Sequence, residues 1–286
     1  MKRRGAKTAR RLPLAFLVAA GMLAVPATAA ATTFSNPTPI TIPAGASPTT
    51  TFGPAAPYPS TIAVSGLGTV LKARVTLTGI THTYPQDIQV LLVGPTGLKT
   101  ILWDEACGTA GTPLTGQTFT FDDAAATTLP FAGPCPSGTY KPTRPPAVTT
   151  QDFGAPAPAG PYPLALSTLN GATANGTWSL FVKDQGSGDV GSIAGGWSLD
   201  LQATDITPPQ TVIGAKKIKG TTAKFTFSSN EPGSSFQCKL DKRAFKPCKS
   251  PKKYKHLSAG KHKFKVRAVD AAGNVDATPA KKKFKI

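Results

Sequence analysis

Apolar and polar residues alternate with a period of two through most of this chain. In the run from Lys72 to Thr78, Ala73, Val75 and Leu77 fall on one side, and Lys72, Arg74, Thr76 and Thr78 on the other. That is the pattern of a strand with one face on a core. Ile88, Val90 and Leu92 repeat it before the turn sequence Gly94-Pro95-Thr96-Gly97, as do Trp178, Leu180 and Val182, and again Trp197, Leu199 and Leu201. Helical periodicity is almost absent, and glycine and proline, 28 of each, place the remainder in turns and loops. Lys141 to Pro163, rich in Pro, Ala and Thr and without a period, reads as a long surface excursion. Past Pro208-Pro209 the alternation returns at 223–227, 235–240, 261–269 and 281–286. The expected fold class is all-β: a larger β-sandwich followed by a smaller one of immunoglobulin-like or fibronectin type.

Three segments are expected. Residues 1–30 read as a signal peptide, with Lys2, Arg3, Arg4, Lys7, Arg10 and Arg11 ahead of an apolar stretch from Leu12 to Val25 and a small-residue cleavage site at Ala27-Thr28-Ala29. The apolar stretch is shorter than the ~20 residues a bilayer span needs, and no later segment is apolar enough. The expected product is secreted and extracellular, free or held non-covalently on the cell envelope. Residues 31–204 form the first domain and 205–286 the second, with the boundary at the prolines, which cannot donate to a strand ladder.

Charge changes at the same boundary. Residues 32–204 carry six basic and nine acidic groups, whereas 205–286 carry twenty basic and five acidic ones. The second domain therefore carries +15 and dominates the overall +18, with +6 more in the leading segment. On 261–267, Lys261, Lys263, Lys265 and Arg267 line one outer strand face, and Lys281, Lys283 and Lys285 extend it if the last strand pairs alongside. Such a face attracts anionic polymers: teichoic acids, acidic polysaccharide, extracellular DNA or anionic lipid. It also serves solubility and blunts edge pairing. Phe264, Phe284 and Ile286 point inward, so the outer face has few aromatics and specific nucleic-acid recognition is not expected.

Four cysteines in an exported chain imply two disulfides. Of three possible pairings, Cys107–Cys135 with Cys238–Cys248 is favoured because each bridge then stays within one domain.

Ordered stretches of residues 34–201 resemble the P domain (P/Homo B domain) of subtilisin-like proprotein convertases. They are Phe34-Ser35-Asn36 leading into Ile40-Thr41-Ile42-Pro43, the entry strand Pro59 to Gly66, Thr78-Gly79-Ile80-Thr81-His82-Thr83-Tyr84-Pro85-Gln86-Asp87-Ile88, Leu91 to Gly97, Phe119 to Ala124, Asn175-Gly176-Thr177-Trp178-Ser179-Leu180, Asp184, and Gly195-Gly196-Trp197-Ser198-Leu199. The resemblance implies a jelly-roll β-sandwich and an association with serine endopeptidases, in which a catalytic domain normally precedes this module. Here the expectation is an accessory module without its protease. The stretch Phe236 to Asp241, the turn Cys248 to Pro251 and Gly260 to Asn274 resemble a bacterial extracellular Ig-like domain, which implies a fold and no ligand.

Fold does not carry function, and the chemistry is expected to be non-catalytic. Of three histidines, His256 and His262 lie in the basic domain, and His262 shares a face with Phe264 and Val266 as a structural imidazole. His82, near Asp87, has no serine in a nucleophile context, so no Ser/His/Asp set is present. Calcium is the candidate cofactor. Some P domains bind it, and Asp184 and Asp189, flanking a glycine-rich turn, together with Asp122 and Asp123, are the candidate ligands; Asp and Gly also simply make good turns. The expected partners are an unknown protein or an anionic envelope polymer. The alternative is a separately encoded subtilisin-like protease that this chain supports or regulates.

Overall fold

The computed structural model describes residues 31–43, 52–108, 112–146 and 151–286; the expected signal peptide lies outside them. The chain is almost entirely β. In order, the first strands are β1 (Thr32–Asn36), β2 (Ile40–Ile42), β3 (Gly53–Pro54), β4 (Ser60–Val64), β5 (Val70–His82), β6 (Ile88–Val93), β7 (Lys99–Asp104), β8 (Leu114–Phe121), β9 (Gly138–Tyr140), β10 (Gly176–Asp184), β11 (Gly191–Ile193) and β12 (Trp197–Ala203). Then follow β13 (Thr211–Lys219), β14 (Thr222–Ser229), β15 (Ser235–Leu240), β16 (Lys246–Cys248), β17 (Lys252–Tyr254), β18 (Lys261–Val269) and β19 (Ala280–Lys285).

β1 to β12 form two sheets. One runs β1-β12-β5-β11-β2, with β8 joined to β5 and β9 to β8; the other runs β3-β10-β6-β7, with β4 on β10. The alternation seen in the sequence decides which side faces in: Ala73, Val75 and Leu77 of β5, Trp178, Leu180 and Val182 of β10, and Trp197, Leu199 and Leu201 of β12 all enter one buried core. Each buried indole N–H has an acceptor, as burial demands: Trp178 donates to the Ala174 carbonyl (2.9 Å), Trp197 to Ser60 Oγ (3.0 Å) and Trp103 to the Ala106 carbonyl (3.1 Å).

The excursion before Pro163 is not a free surface loop. Phe153 and Tyr162 pack with Leu91, Ile101 and Phe181 on the far side of the β10–β6–β7 sheet, and Phe153 is fully buried. That second apolar cluster explains why β6 is buried on both faces.

The later strands form a three-stranded sheet, β13-β14-β17, and a four-stranded one, β16-β15-β18-β19. Among the described residues no strand of these pairs with an earlier one. Their core holds Phe225, Phe227, Leu240, Phe264, Val266 and Phe284, with Phe225 and Phe264 stacked at 4.2 Å. Two disulfides are present, Cys107–Cys135 and Cys238–Cys248, with Cα–Cα distances of 5.4 and 5.8 Å.

Candidate functional site

The register of β18 on β19 sets the most distinctive surface. Lys261 stands opposite Lys285, Lys263 opposite Lys283, and Lys265 opposite Lys281. On the other side of β18, Lys239 of β15 stands opposite Lys265, and Gln237 opposite Arg267. Since Phe264, Val266 and Phe284 between them are core residues, strand alternation places the cations together on the outer face. Lys261, Lys263, Lys283 and Lys285 also line, together with Asp241, His262 and Phe284, an open depression of about 600 Å³. Among the described residues none of the ion pairs engages a cation of β18 or β19 other than His262. The acid at the rim, Asp241, is already committed: its Oδ1 accepts from the Lys263 N–H (2.7 Å) and its Oδ2 faces His262 Nδ1 at 2.8 Å.

His262 lies where the alternation predicted, stacked on Phe284. Its two ring nitrogens face acceptors, Nε2 the Ser258 carbonyl at 2.9 Å and Nδ1 Asp241. Both nitrogens donate only in the imidazolium, so the Ser258 carbonyl first and Asp241 with it raise this histidine above its usual value. Burial would raise Asp241, but the bonds from His262 and the Lys263 N–H outweigh it and hold the carboxyl low.

One aromatic on the basic face was missed by strand pattern. Phe245, in the loop between β15 and β16, lies 4.4 Å from the Arg267 guanidinium and 4.9 Å from Lys239 Nζ, measured to the ring centre. A loop residue has no alternation to reveal it.

The four aspartates expected as calcium ligands do not form one set. Asp122 is held by Lys72 (2.9 Å) and Arg74 (3.0 Å). Burial would raise Asp122, yet the Ala124 N–H and these two cations together keep it below the ordinary carboxylate range. Asp123 accepts the N–H groups of Leu166 (2.9 Å) and Ser167 (2.7 Å) at the start of a short 3₁₀ turn. Asp184 and Asp189 are far away. Phe121, which precedes Asp122, pairs with Val75, while Asp184 faces His82, seven residues further along β5 and roughly 20 Å distant at strand rise.

At that far end Asp184 is fully buried. Its Oδ1 accepts from the Gly186 N–H, and its Oδ2 lies 3.4 Å from His82 Nε2. The Tyr84 N–H donates to His82 Nδ1 at 3.2 Å, which puts the ring proton on Nε2, toward Asp184. Asp189 accepts from Thr83 Oγ1. Two further acids, Asp87 and Asp104, lie at this end. Burial, then Asp184 and Asp189, push Asp87 up to about 6; burial also pushes Asp104 to about 6, against a bond from Gln89 Nε2. Calcium takes six to eight oxygens from converging ligands. Among the described residues only Asp205, Glu231 and Asp270 bring three carboxylate oxygens within 4.8 Å of one another, while around Asp184 two carboxylate oxygens, Asp104 Oδ2 and Asp184 Oδ2, are buried without a hydrogen-bond partner. Asn274 Nδ2 links two of the trio, donating to Asp270 Oδ2 (2.9 Å) and to the Asp205 carbonyl (3.1 Å).

Among the described residues no helix is long and apolar enough to cross a membrane. No family model and no curated protein matches the chain. Among solved structures, the serine protease of Aeromonas sobria in complex with its chaperone is 16% identical over 62% of this chain and 27% of that one, with a TM-score of 0.30. The same protease alone is 14% identical over 62% and 27%, with a TM-score of 0.28. A β-1,2-glucanase from Parabacteroides distasonis is 11% identical over 78% and 28%, with a TM-score of 0.21. This chain spans under a third of the length of each, and likenesses this weak carry no argument about its activity.

Proposed function

We propose that this chain is an exported, non-catalytic protein of two β domains that holds to an anionic polymer of the cell envelope through its second domain. One observation carries the reading: three lysine pairs stand directly opposed on β18 and β19, without an acidic partner among the described residues. Like charges directly opposite on adjacent strands destabilise a sheet. A polyanion laid over them removes that repulsion and releases its counterions.

The non-catalytic part rests on the histidines. His82 is buried with its nitrogens turned to the Tyr84 N–H and Asp184, and His262 is bound on both nitrogens. Neither faces a serine hydroxyl. The residues that carry the P-domain resemblance, His82, Asp184, Trp178 and Trp197, are buried parts of the first sandwich, which favours a shared fold over shared chemistry. Peptide turnover that His82→Ala abolishes would contradict this.

The binding reading is tested by mixing the mature protein with isolated envelopes across a salt series, beside Lys263→Gln/Lys283→Gln. Retention that falls with salt and with the double substitution is expected. Equal retention of both proteins would remove the basic face from the account.

A further inference from the structure

The spacing of the basic face selects among polyanions, on the reading that this face is the binding surface. Outward residues on a strand recur every ~6.8 Å, and neighbouring strands lie ~4.8 Å apart. The pairs Lys261/Lys285, Lys263/Lys283 and Lys265/Lys281 are thus three rungs of a ladder, with Arg267 one step beyond. Each rung offers two ammonium groups to one anionic group that has two free oxygens.

We infer that the ligand is a linear phosphodiester polymer with a three-carbon spacer, of the poly(glycerol phosphate) kind, lying along β18 and β19 with one phosphate per rung. Six backbone bonds separate successive phosphorus atoms in such a chain, so extended it advances about 7 Å per phosphate, close to the rung spacing. A polyuronate carries one carboxylate per sugar ring on alternating sides, so like-facing ones recur only at every second sugar; it meets the rungs out of step. Single-stranded DNA has the same six-bond spacing, but its affinity leans on aromatic platforms for the bases. The aromatic ring found here, Phe245, already lies against Lys239 and Arg267. A polymer without bases matches what the face presents.

The test measures binding of the mature protein to three probes of matched charge and length: a synthetic glycerol phosphate oligomer, oligogalacturonate and oligothymidylate. Each is titrated over a salt series, beside Lys263→Gln/Lys283→Gln and the control Lys216→Gln/Lys217→Gln on β13. Melting curves confirm that the variants fold. The glycerol phosphate oligomer is expected to bind about tenfold tighter than oligogalacturonate. Its log–log salt slope is expected near −2 to −3, from about 0.7 per phosphate over three to four phosphates. Only the β18–β19 variant should lose that preference. Equal binding of oligogalacturonate, still sensitive to that variant, overturns the spacing inference and leaves the polyanion reading intact. Tighter binding of oligothymidylate overturns it in favour of single-stranded DNA. Binding of no probe, or equal effects of the two variants, overturns both.

Discussion

Lys263 and Lys283 face each other across adjacent antiparallel strands, with a lysine pair on either side of them. Folding gains nothing from this arrangement. Lys283→Glu turns the central rung into an opposite-charge pair and is expected to stabilise the fold by about 0.5–1 kcal/mol while weakening polyanion binding. A denaturant midpoint and an envelope-retention curve read the two effects. If stability and binding fall together, the lysines are structural.

The contacts of His262 set a pH dependence with a definite sign. Its value is raised on folding, so its contribution is complete below the ordinary histidine value and is lost as pH rises through the raised one. Unfolding midpoints of the parent should decline over that interval, and those of His262→Gln should decline less. Parallel curves would show that the Asp241 and Ser258 contacts contribute nothing to stability.

Asp104 gives the same sign in the first sandwich from a different cause, burial of its charge. Its carboxyl rises from 3.8 to about 6 on folding, so the folded chain holds the proton longer, and stability falls as pH climbs from about 4 to about 6. Asp104→Asn keeps an acceptor for Gln89 and removes the charge. It is expected to gain about 1–2 kcal/mol at pH 7, after discount for solvent screening, and nothing below pH 4. A loss at pH 7 would mean that the ionised carboxylate is required.

Phe153 tests the covering segment. It is buried between that segment and Leu91, Ile101 and Phe181, so Phe153→Ala should cost about 3 kcal/mol by cavity formation. A loss under 0.5 kcal/mol, the size of an ordinary surface change, would show that the segment merely rests on the sheet.

Where strands are long and one face meets the core, the sequence was legible: β5, β10, β12 and β18 follow alternation that can be read by eye. β16 and β17 have three residues each and carry no period. β13 is mostly exposed and rich in lysine, so it shows no apolar face. The burial of β6 on both faces depends on Phe153 and Tyr162, about sixty residues away in sequence, and local pattern does not contain that contact. The basic face was visible as two lysine runs, but only the register turns them into opposed pairs. The acids divided differently from expectation for the same reason. Asp122 and Asp184 look alike beside turns, yet tertiary contact gives one to Lys72 and Arg74 and the other to His82.

Amide chemical shifts of the labelled mature protein titrated with a polyanion report on the β18–β19 face residue by residue. Perturbations should concentrate on 261–267 and 281–285, with small changes on β13 and throughout the first sandwich. Shifts spread evenly over the lysines, or centred on Lys216, Lys217 and Lys224, would contradict binding at that face.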